Sequence, residues 1–414
     1  MLVLTNIKSL AGIRDASVKM LRGKELATLP SIENAFLIAP HGKIKVFGPM
    51  KDFKNYEAVV KNGNVIDCTD KIVLPSFCDS HTHLVFADTR ENEFIDKING
   101  LSYEEIAAKG GGILNSAKKL NEMSEETLYE KSFDRLNEII KQGTGAVEIK
   151  SGYGLCVEGE LKMLRLIKKL KEHSPIPIKA TFLGAHAFPA EFKNNHDGYI
   201  KLIIEKMLPQ IAEENLADYI DAFCENGFFS MEETDRILEA GNKFGLKPKI
   251  HANQLAISGG VQTGIKNNAI SVDHLENIGD EEIFALQNSN TIPTLLPSAA
   301  FFLRMNYPPA RKLIDANLPV TLATDFNPGS SPSSRMSFVI SLACLQMKMT
   351  PEEAINAATL NGAHAMELES EVGSVTIGKT ANLIITKKIN SVANIPYSFG
   401  NDVIDKVIVN GEVF

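Results

Sequence analysis

The sequence contains no long apolar run, no excess of basic residues and no closely spaced pair of cysteines. No stretch reaches the roughly 18 apolar residues that a membrane-spanning helix needs, and the first residues lack the pattern of a signal peptide. The net charge of −8 provides no basic stripe for a nucleic acid. The five cysteines are scattered, which is typical of reduced, mostly buried thiols in a cytoplasmic protein. We therefore expect a cytoplasmic protein with no membrane or nucleic-acid partner.

Short apolar runs alternate with longer segments of helical period through most of the chain. Apolar runs without alternating polar residues are typical of strands that are buried on both faces. Eight such strands, each followed by a helix, predict an α/β fold of the TIM type, a (β/α)₈ barrel. The eight runs are 72–77, 146–149, 178–183, 219–223, 248–252, 269–272, 291–296 and 320–323. Capping-box patterns at 102–105, 230–233 and 350–353 predict three of the helix starts.

Both ends of the chain have the pattern of strands and turns rather than of β/α units. The chain has 414 residues, which suits one large domain and a smaller one. We predict a small composite β-sandwich domain formed by residues 1–71 and 369–414, with the barrel of residues 72–368 inserted between them. Strand patterns in the two end segments occur at 1–7, 35–39, 43–47, 373–378, 383–385 and 407–409.

The strongest chemical signal is the pair His81 and His83, directly after the first apolar run. In an extended strand, residues two apart point to the same side, so both imidazoles can bind one metal ion. Catalytic groups of barrel enzymes lie at the carboxyl ends of the strands, which is where this pair is expected. Two histidines at this spacing also arise by chance in surface turns, so the pair alone leaves both interpretations open.

Polar residues follow four of the later apolar runs as well, namely His186, His251, His274 and Asp325. A single histidine after an apolar run is more often a structural residue than a ligand. Four such residues on one face of one barrel favour a functional site over packing. Three imidazoles and one carboxylate suit Zn²⁺, with Fe²⁺ as the alternative.

Several stretches of the chain resemble the amidohydrolase superfamily and, within it, the imidazolonepropionase family. Segment 66–83 is similar to the opening signature of the superfamily, and segment 373–384 is similar to its closing strand. The stretches E-I-K-S-G-Y-G at 148–154 and T-D-F-N-P-G-S at 324–330 are specific for the smaller family. F-L-G-A-H-A at 182–187, H-A-N-Q at 251–254 and D-H-L-E at 273–276 occur in the matching order. The resemblance covers nearly the whole chain.

The resemblance implies one divalent metal ion, Zn²⁺ or else Fe²⁺ or Fe³⁺, and a homodimer. It implies the metal ligands His81, His83, His251 and Asp325, with His274, Asp325 and Gln254 as catalytic residues. The implied substrate pocket contains Arg90, Tyr153, His186, Gln254, Asn327, Gly329 and Ser330. Gln254 stands where some members have glutamate, and a glutamine cannot carry a proton as a carboxylate does.

The implied reaction hydrolyses the cyclic amide of a small molecule, 4-imidazolone-5-propanoate, to N-formimidoyl-L-glutamate. A metal lowers the pKa of bound water to about 7, and the hydroxide would attack the ring carbonyl. Asp325 would take the proton and return it to the leaving nitrogen, while His274 would stabilise the oxyanion. Arg90 would bind the propanoate, although its sequence context alone favours an ordinary surface arginine.

Two other functions remain open at this point. A deaminase of the guanine or cytosine type would use the same ligands on another ring, and a scaffold without activity would be expected to have lost ligands that are all present here. Lys150 ends the second apolar run, where a carboxylated lysine would bridge two ions. The resemblance favours one ion, and we expect Lys150 to pair with an acid such as Glu148 or Glu225.

Overall fold

The strands of the protein form two sheets, one from the middle of the chain and one from its two ends. The computed structural model describes residues 1–56, 63–101, 105 and 111–414. The strands of these residues are β1 (Leu2–Ala11), β2 (Ser31–Ala39), β3 (Val46–Pro49), β4 (Asn64–Asp67), β5 (Lys71–Pro75), β6 (Phe77–Thr82), β7 (Thr144–Lys150), β8 (Ile178–Ala185), β9 (Tyr219–Cys224), β10 (Lys247–Pro248), β11 (Ile250–Ala252), β12 (Ser271–His274), β13 (Ile292–Leu295), β14 (Thr321–Leu322), β15 (Leu383–Lys388), β16 (Ile404–Val409) and β17 (Glu412–Val413).

Helices alternate with the strands of the middle sheet. The α-helices of the described residues are α1 (Glu91–Ile98), α2 (Gly112–Glu122), α3 (Glu125–Lys141), α4 (Val157–His173), α5 (His196–Leu202), α6 (Leu208–Glu213), α7 (Met231–Lys243), α8 (Gly260–Lys266), α9 (Asp280–Gln287), α10 (Pro297–Leu303), α11 (Ala310–Asp315), α12 (Met336–Met347), α13 (Pro351–Ala358), α14 (Leu360–His364) and α15 (Asn394–Tyr397).

The middle sheet is a barrel of parallel strands in the order β6, β7, β8, β9, β11, β12, β13 and β14, with β10 beside β9. Two hydrogen bonds join its first and last strands: the amide of Asp325 donates to the carbonyl of His81 (3.0 Å), and the amide of His83 donates to that of Phe326 (2.9 Å). The predicted (β/α)₈ barrel is therefore confirmed.

Burial explains why the strand pattern of the sequence is apolar without alternation. All residues of β7 and of β9 are buried, since one face lines the barrel interior and the other packs on the helices. Two of the predicted capping boxes start helices as expected: Ser230 accepts from the amide of Glu233, and Thr350 from that of Glu353. The third, at 102–105, lies outside the described residues apart from Glu105.

The second sheet combines both chain ends in the order β17, β16, β15, β5, β1, β2 and β3, with β4 also paired to β1. The predicted strand 72–77 is divided, because β5 joins this sheet and the first barrel strand begins only at Phe77. The predicted strand 373–378 is wrong, since Val375 makes only an isolated bridge to Ile13. The domain boundaries after residues 71 and 368 stay a prediction.

The cysteines and the helix lengths test two expectations that were drawn from the composition. The five cysteines are free thiols, three of them buried, as expected. Among the described residues, every helix is too short or too polar to span a bilayer.

Candidate metal centre and active site

Buried histidines and an aspartate gather at the carboxyl ends of the barrel strands. His81 lies in β6 with His83 just beyond it, His251 lies in β11, His274 ends β12, and Asp325 follows β14. Each of the five is at most 3% exposed. His81 and Asp325 are 244 positions apart in the chain but are neighbours in the structure. They meet because the parallel strands of a barrel end on the same face.

The ligand atoms of this cluster have the spacing that a tetrahedral cation requires. Asp325 Oδ1 lies 3.5 Å from His81 Nε2 and 3.5 Å from His83 Nε2. His83 Nε2 lies 3.4 Å from His251 Nε2. Ligands about 2.0–2.1 Å from a tetrahedral zinc ion lie about 3.3–3.4 Å from one another, so the observed distances fit.

The hydrogen bonding of the cluster also fits a cation. Among the described residues, the buried His81 Nε2 has no hydrogen-bond partner. Burial lowers the pKa of the His81 and His83 imidazoles well below the ordinary value, so both rings are neutral at pH 7. Neutral imidazoles and an ionised carboxylate are the forms that bind a metal.

Two further aspartates fix the orientation of the metal-facing rings. His81 Nδ1 donates to Asp273 Oδ2 at 2.6 Å, which turns Nε2 of the same ring toward the cluster. In the same way, Nδ1 of His251 in β11 lies 3.0 Å from Oδ2 of Asp221 in β9. Carboxylates in this position hold the ring tautomer and make the ligating nitrogen more basic.

A fully buried group of charges supports these aspartates. Lys150 Nζ contacts Glu148 Oε1 at 2.6 Å and Asp221 Oδ2 at 2.9 Å, and Asp273 Oδ2 lies 3.8 Å away. Lys249 also pairs with Glu148 and donates to a carbonyl of β6. Burial raises the pKa of Glu148, but the two lysines outweigh it and keep the pKa below its ordinary value. Lys150 thus pairs with Glu148, one of the two acids expected.

His274 combines a raised pKa with a strained backbone. Burial lowers the pKa of its imidazole, but the Glu276 carboxylate, 3.4 Å from Nδ1, outweighs this and raises the pKa to about 9. The backbone of His274 is in the left-handed region (φ 88°), as is that of Asp325 (φ 54°). Non-glycine residues in this region are strained, and such strain clusters at functional sites.

The cluster opens into a cavity of about 670 Å³, a volume typical of small-molecule sites. His83, His251, His274 and Asp325 form part of its lining. Every residue predicted for the substrate pocket also lines it: Arg90, Tyr153, His186, Gln254, Asn327, Gly329 and Ser330. Their roles as binding or catalytic residues stay a prediction.

The loop after β7 presents Tyr153 to this cavity, and a buried carboxylate holds the loop. Glu160 accepts from the amides of Gly152 (3.0 Å), Gly154 (2.7 Å) and Leu155 (2.9 Å). Nδ1 of His186 lies 3.0 Å from the Gly152 carbonyl, which sets the ring beside Tyr153. Burial lowers the pKa of His186 to about 3, so this ring is neutral at pH 7.

The loop after β14 is held by its own asparagine. Asn327 Oδ1 accepts from the amides of Gly329 and Ser330, both at 2.8 Å. Its Nδ2 donates to the carbonyl of Asp325 at 2.7 Å. A side chain at Gly329 would displace Arg90, because a Cβ there would lie 2.5 Å from Arg90 Nη1. Arg90 therefore lies directly against this loop.

Comparisons with known proteins agree with this geometry. The profile of the amidohydrolase family matches residues 72–414. An imidazolonepropionase of Flavobacterium johnsoniae is 58% identical over 411 residues, which cover 99% of each chain. The chain belongs to the imidazolonepropionase family of amidohydrolases. A second imidazolonepropionase, of Geobacillus thermodenitrificans, is 42% identical over 413 residues, covering 100% of this chain and 97% of its own.

Solved structures share the fold of the imidazolonepropionase family at low sequence identity. An E. coli guanine deaminase superposes with a TM-score of 0.75 at 15% identity, covering 100% of this chain and 98% of its own. A zinc-bound atrazine chlorohydrolase of Arthrobacter aurescens gives 0.74 at 14% identity, covering 100% of this chain and 95% of its own. These likenesses confirm the fold. The family membership makes the chain a metal-dependent hydrolase, and its histidine-rich cluster fits a metal ion.

Sequence reasoning missed the residues that orient the predicted ligands. Asp221, Asp273, Glu276 and Glu160 were given no role, although Asp273 and Glu276 lie in a stretch that carries the family resemblance. A polar residue inside an apolar strand is the one signal that could have found Asp221 and Asp273, since a buried carboxylate needs a partner. Glu225 does not pair with Lys150; it accepts from the amide of Leu255 instead (3.0 Å).

Proposed function

We propose that the protein hydrolyses 4-imidazolone-5-propanoate to N-formimidoyl-L-glutamate in the degradation of histidine. The observation that carries the proposal is the gathering of His83, His251 and Asp325 in one cavity with Arg90. A metal-binding cluster beside a cation suits a cyclic amide that carries a carboxylate. Full-length identity of 58% to an imidazolonepropionase supports the same substrate.

His81, His83, His251 and Asp325 would hold one metal ion, Zn²⁺ with Fe²⁺ or Fe³⁺ as the alternative. Such an ion, when bound, lowers the pKa of its water ligand from 15.7 to about 7 and polarises a neighbouring carbonyl. Lys150 has no place for a carboxylate bridge to a second ion, because its ammonium already contacts Glu148 and Asp221. This favours a single ion.

Three residues of the cavity have different roles in the reaction. The oxygen of the attacking water bonds to the ring carbonyl carbon, and Asp325 accepts a proton from that water. His274, held by Glu276, donates to the oxyanion that develops on the carbonyl oxygen. The bond between that carbon and the ring nitrogen then breaks, and Asp325 returns the proton to the nitrogen. Gln254 donates or accepts a hydrogen bond to the ring but transfers no proton.

Substrate binding falls to the remaining residues of the cavity. Arg90 binds the propanoate carboxylate, with the guanidinium positioned by Ser116 Oγ, which accepts from Nε at 2.8 Å. The phenol of Tyr153 and the ring of His186 face the imidazolone, and the loop of Asn327, Gly329 and Ser330 closes the opposite side.

An absorbance assay for the imidazolone ring tests the proposal. The metal-loaded protein should consume 4-imidazolone-5-propanoate, and a chelator should abolish the reaction until Zn²⁺ is restored. Guanine and cytosine, assayed in parallel for ammonia release, should not react. Absence of imidazolone loss with metal-loaded protein, or ammonia release from either base, would contradict the assignment.

A cytoplasmic homodimer belongs to the same proposal. Light scattering of the purified protein should give about twice the mass of one chain, and a monomer mass would remove this part of the proposal alone.

A further inference from the structure

Two cations converge on one glycine at the wall of the cavity. Arg90 immediately precedes α1, and Lys97 lies in the last turn of that helix. Lys97 Nζ donates to the carbonyl of Gly329 at 3.4 Å. Arg90 Nη1 lies 2.5 Å from the position that a Cβ of residue 329 would take. Both cations line the cavity, on the side of the loop after β14.

Among the described residues, the polar contacts of these two cations are to Ser116 Oγ and to the Gly329 carbonyl, and neither cation forms an ion pair within 4.0 Å. The nearest acid in sequence to Lys97 on its own helix face, Glu93, accepts from the amide of Gly112 at 2.8 Å. Arg90 donates through Nε to Ser116, and among the described residues its two terminal nitrogens have no hydrogen-bond acceptor. Glu93 also lines the cavity and acts on Lys97 only from beyond ion-pair distance, so an anion that binds both cations would be their direct charged partner.

Burial supports this interpretation. The side chain of Lys97 is partly buried, and burial lowers the pKa of its amine, while Glu93 raises that pKa and Arg90, with a smaller effect, lowers it. A solvent-exposed lysine at a helix end would interact with the last carbonyls of its own helix. Lys97 reaches instead to a loop 232 positions further along the chain, at the wall of the substrate cavity.

From this geometry we infer that Lys97 is a second binding residue for the substrate's side-chain carboxylate and restricts the enzyme to anionic cyclic amides. The inference rests on the proposed function. Arg90 binds the carboxylate with its planar fork, and Lys97 adds a point charge to the oxygen lone pairs that the fork leaves open. The absence of a side chain at Gly329 lets Arg90 lie against the loop whose carbonyl accepts from Lys97.

The substitution Lys97→Met keeps the length and the apolar stem of the side chain and removes the charge. KM for 4-imidazolone-5-propanoate should rise about 10-fold, since a charged hydrogen bond at a partly exposed site is lost, while kcat changes little. Lys97→Arg should restore most of the affinity. Binding is measured separately with imidazole-4-propanoate, which has the ring and the carboxylate but no amide to cleave, and whose Ki should also rise about 10-fold.

An uncharged substrate separates binding of the carboxylate from support of the loop. On 4-imidazolone without the propanoate, Lys97→Met and the native protein should have the same kcat/KM. The matched control is Lys118→Met on α2, whose lysine is 73% exposed and pairs only at 4.0 Å with Glu122; it should behave as the native protein on both substrates.

Two results would overturn the role of Lys97. One is an unchanged KM and Ki in Lys97→Met, and the other is an equal loss on the charged and uncharged substrates, which would make the lysine a support of the loop. Failure of the native protein to consume 4-imidazolone-5-propanoate would instead remove the proposed function, so the two failures are distinguishable.

Discussion

Replacement of Lys150 by methionine tests how much the buried lysine contributes to stability beside the candidate metal centre. Lys150 is fully buried and contacts Glu148 at 2.6 Å and Asp221 at 2.9 Å. Methionine has a similar volume and leaves no large cavity, so the main loss is the compensating charge. The carboxylates would then lie in a low-dielectric interior, with Lys249 as their one remaining lysine contact among the described residues.

Removal of one partner from a buried ion pair costs about 3–5 kcal/mol, because an uncompensated charge stays behind. For a protein of 414 residues, that loss lowers the melting temperature by about 3–6 °C. The loss should also depend on pH. In the native protein Lys150 lowers the pKa of Glu148 and of Asp221, so their ionised forms stabilise the fold above their unfolded pKa values. Without Lys150 these pKa values rise, and the destabilisation is greater at pH 8 than at pH 5.5.

Thermal unfolding followed by circular dichroism at both pH values measures these effects. The matched control is Lys201→Met, which removes a lysine that is 59% exposed from a surface pair with Asp197 and should leave the melting temperature nearly unchanged. The double variant K150M/E148Q removes a negative charge as well and should regain part of the stability. The reasoning is refuted if Lys150→Met melts no lower than Lys201→Met, or if its loss is greater at the lower pH.

Three further predictions concern other buried groups. Asp273→Asn weakens the hold on His81 Nδ1, so metal affinity should fall about 10- to 100-fold in competition with a chromophoric chelator; unchanged affinity would exclude the orienting role. Glu160→Ala leaves the amides of the Tyr153 loop without their acceptor, and kcat/KM should fall about 10- to 100-fold at full metal content, with partial rescue by Glu160→Gln. Burial lowers the pKa of Lys379 to about 8 from 10.5. Because the unfolded chain keeps that proton up to the higher pH, stability should rise between pH 8 and 10.5, and urea midpoints of Lys379→Met should lack this rise.

The local pattern of the sequence predicted the elements of this fold well. Apolar runs of the barrel strands are recognisable because strands buried on both faces need apolar residues at every position. The capping boxes at Ser230 and Thr350 were recognisable because the residues that form them lie three apart in the chain. One failure occurred where a run could join either sheet: 72–77 is apolar in both environments, and pairing alone assigns its first part to β5.

The candidate ligands could be predicted from the positions of the histidines after apolar runs and from the stretches that resemble the family. His81 and His83 were the simplest case, because residues two apart in a strand point to the same side. The sequence by itself thus determined the class of fold, the kind of site and the residue types within it. Tertiary structure alone decided which acid faces which base, Asp273 with His81 and Asp221 with His251, and that Lys97 contacts the loop of Gly329. These partners lie on different strands and loops, and their distances depend on how the parallel strands align around the barrel, which no local pattern encodes.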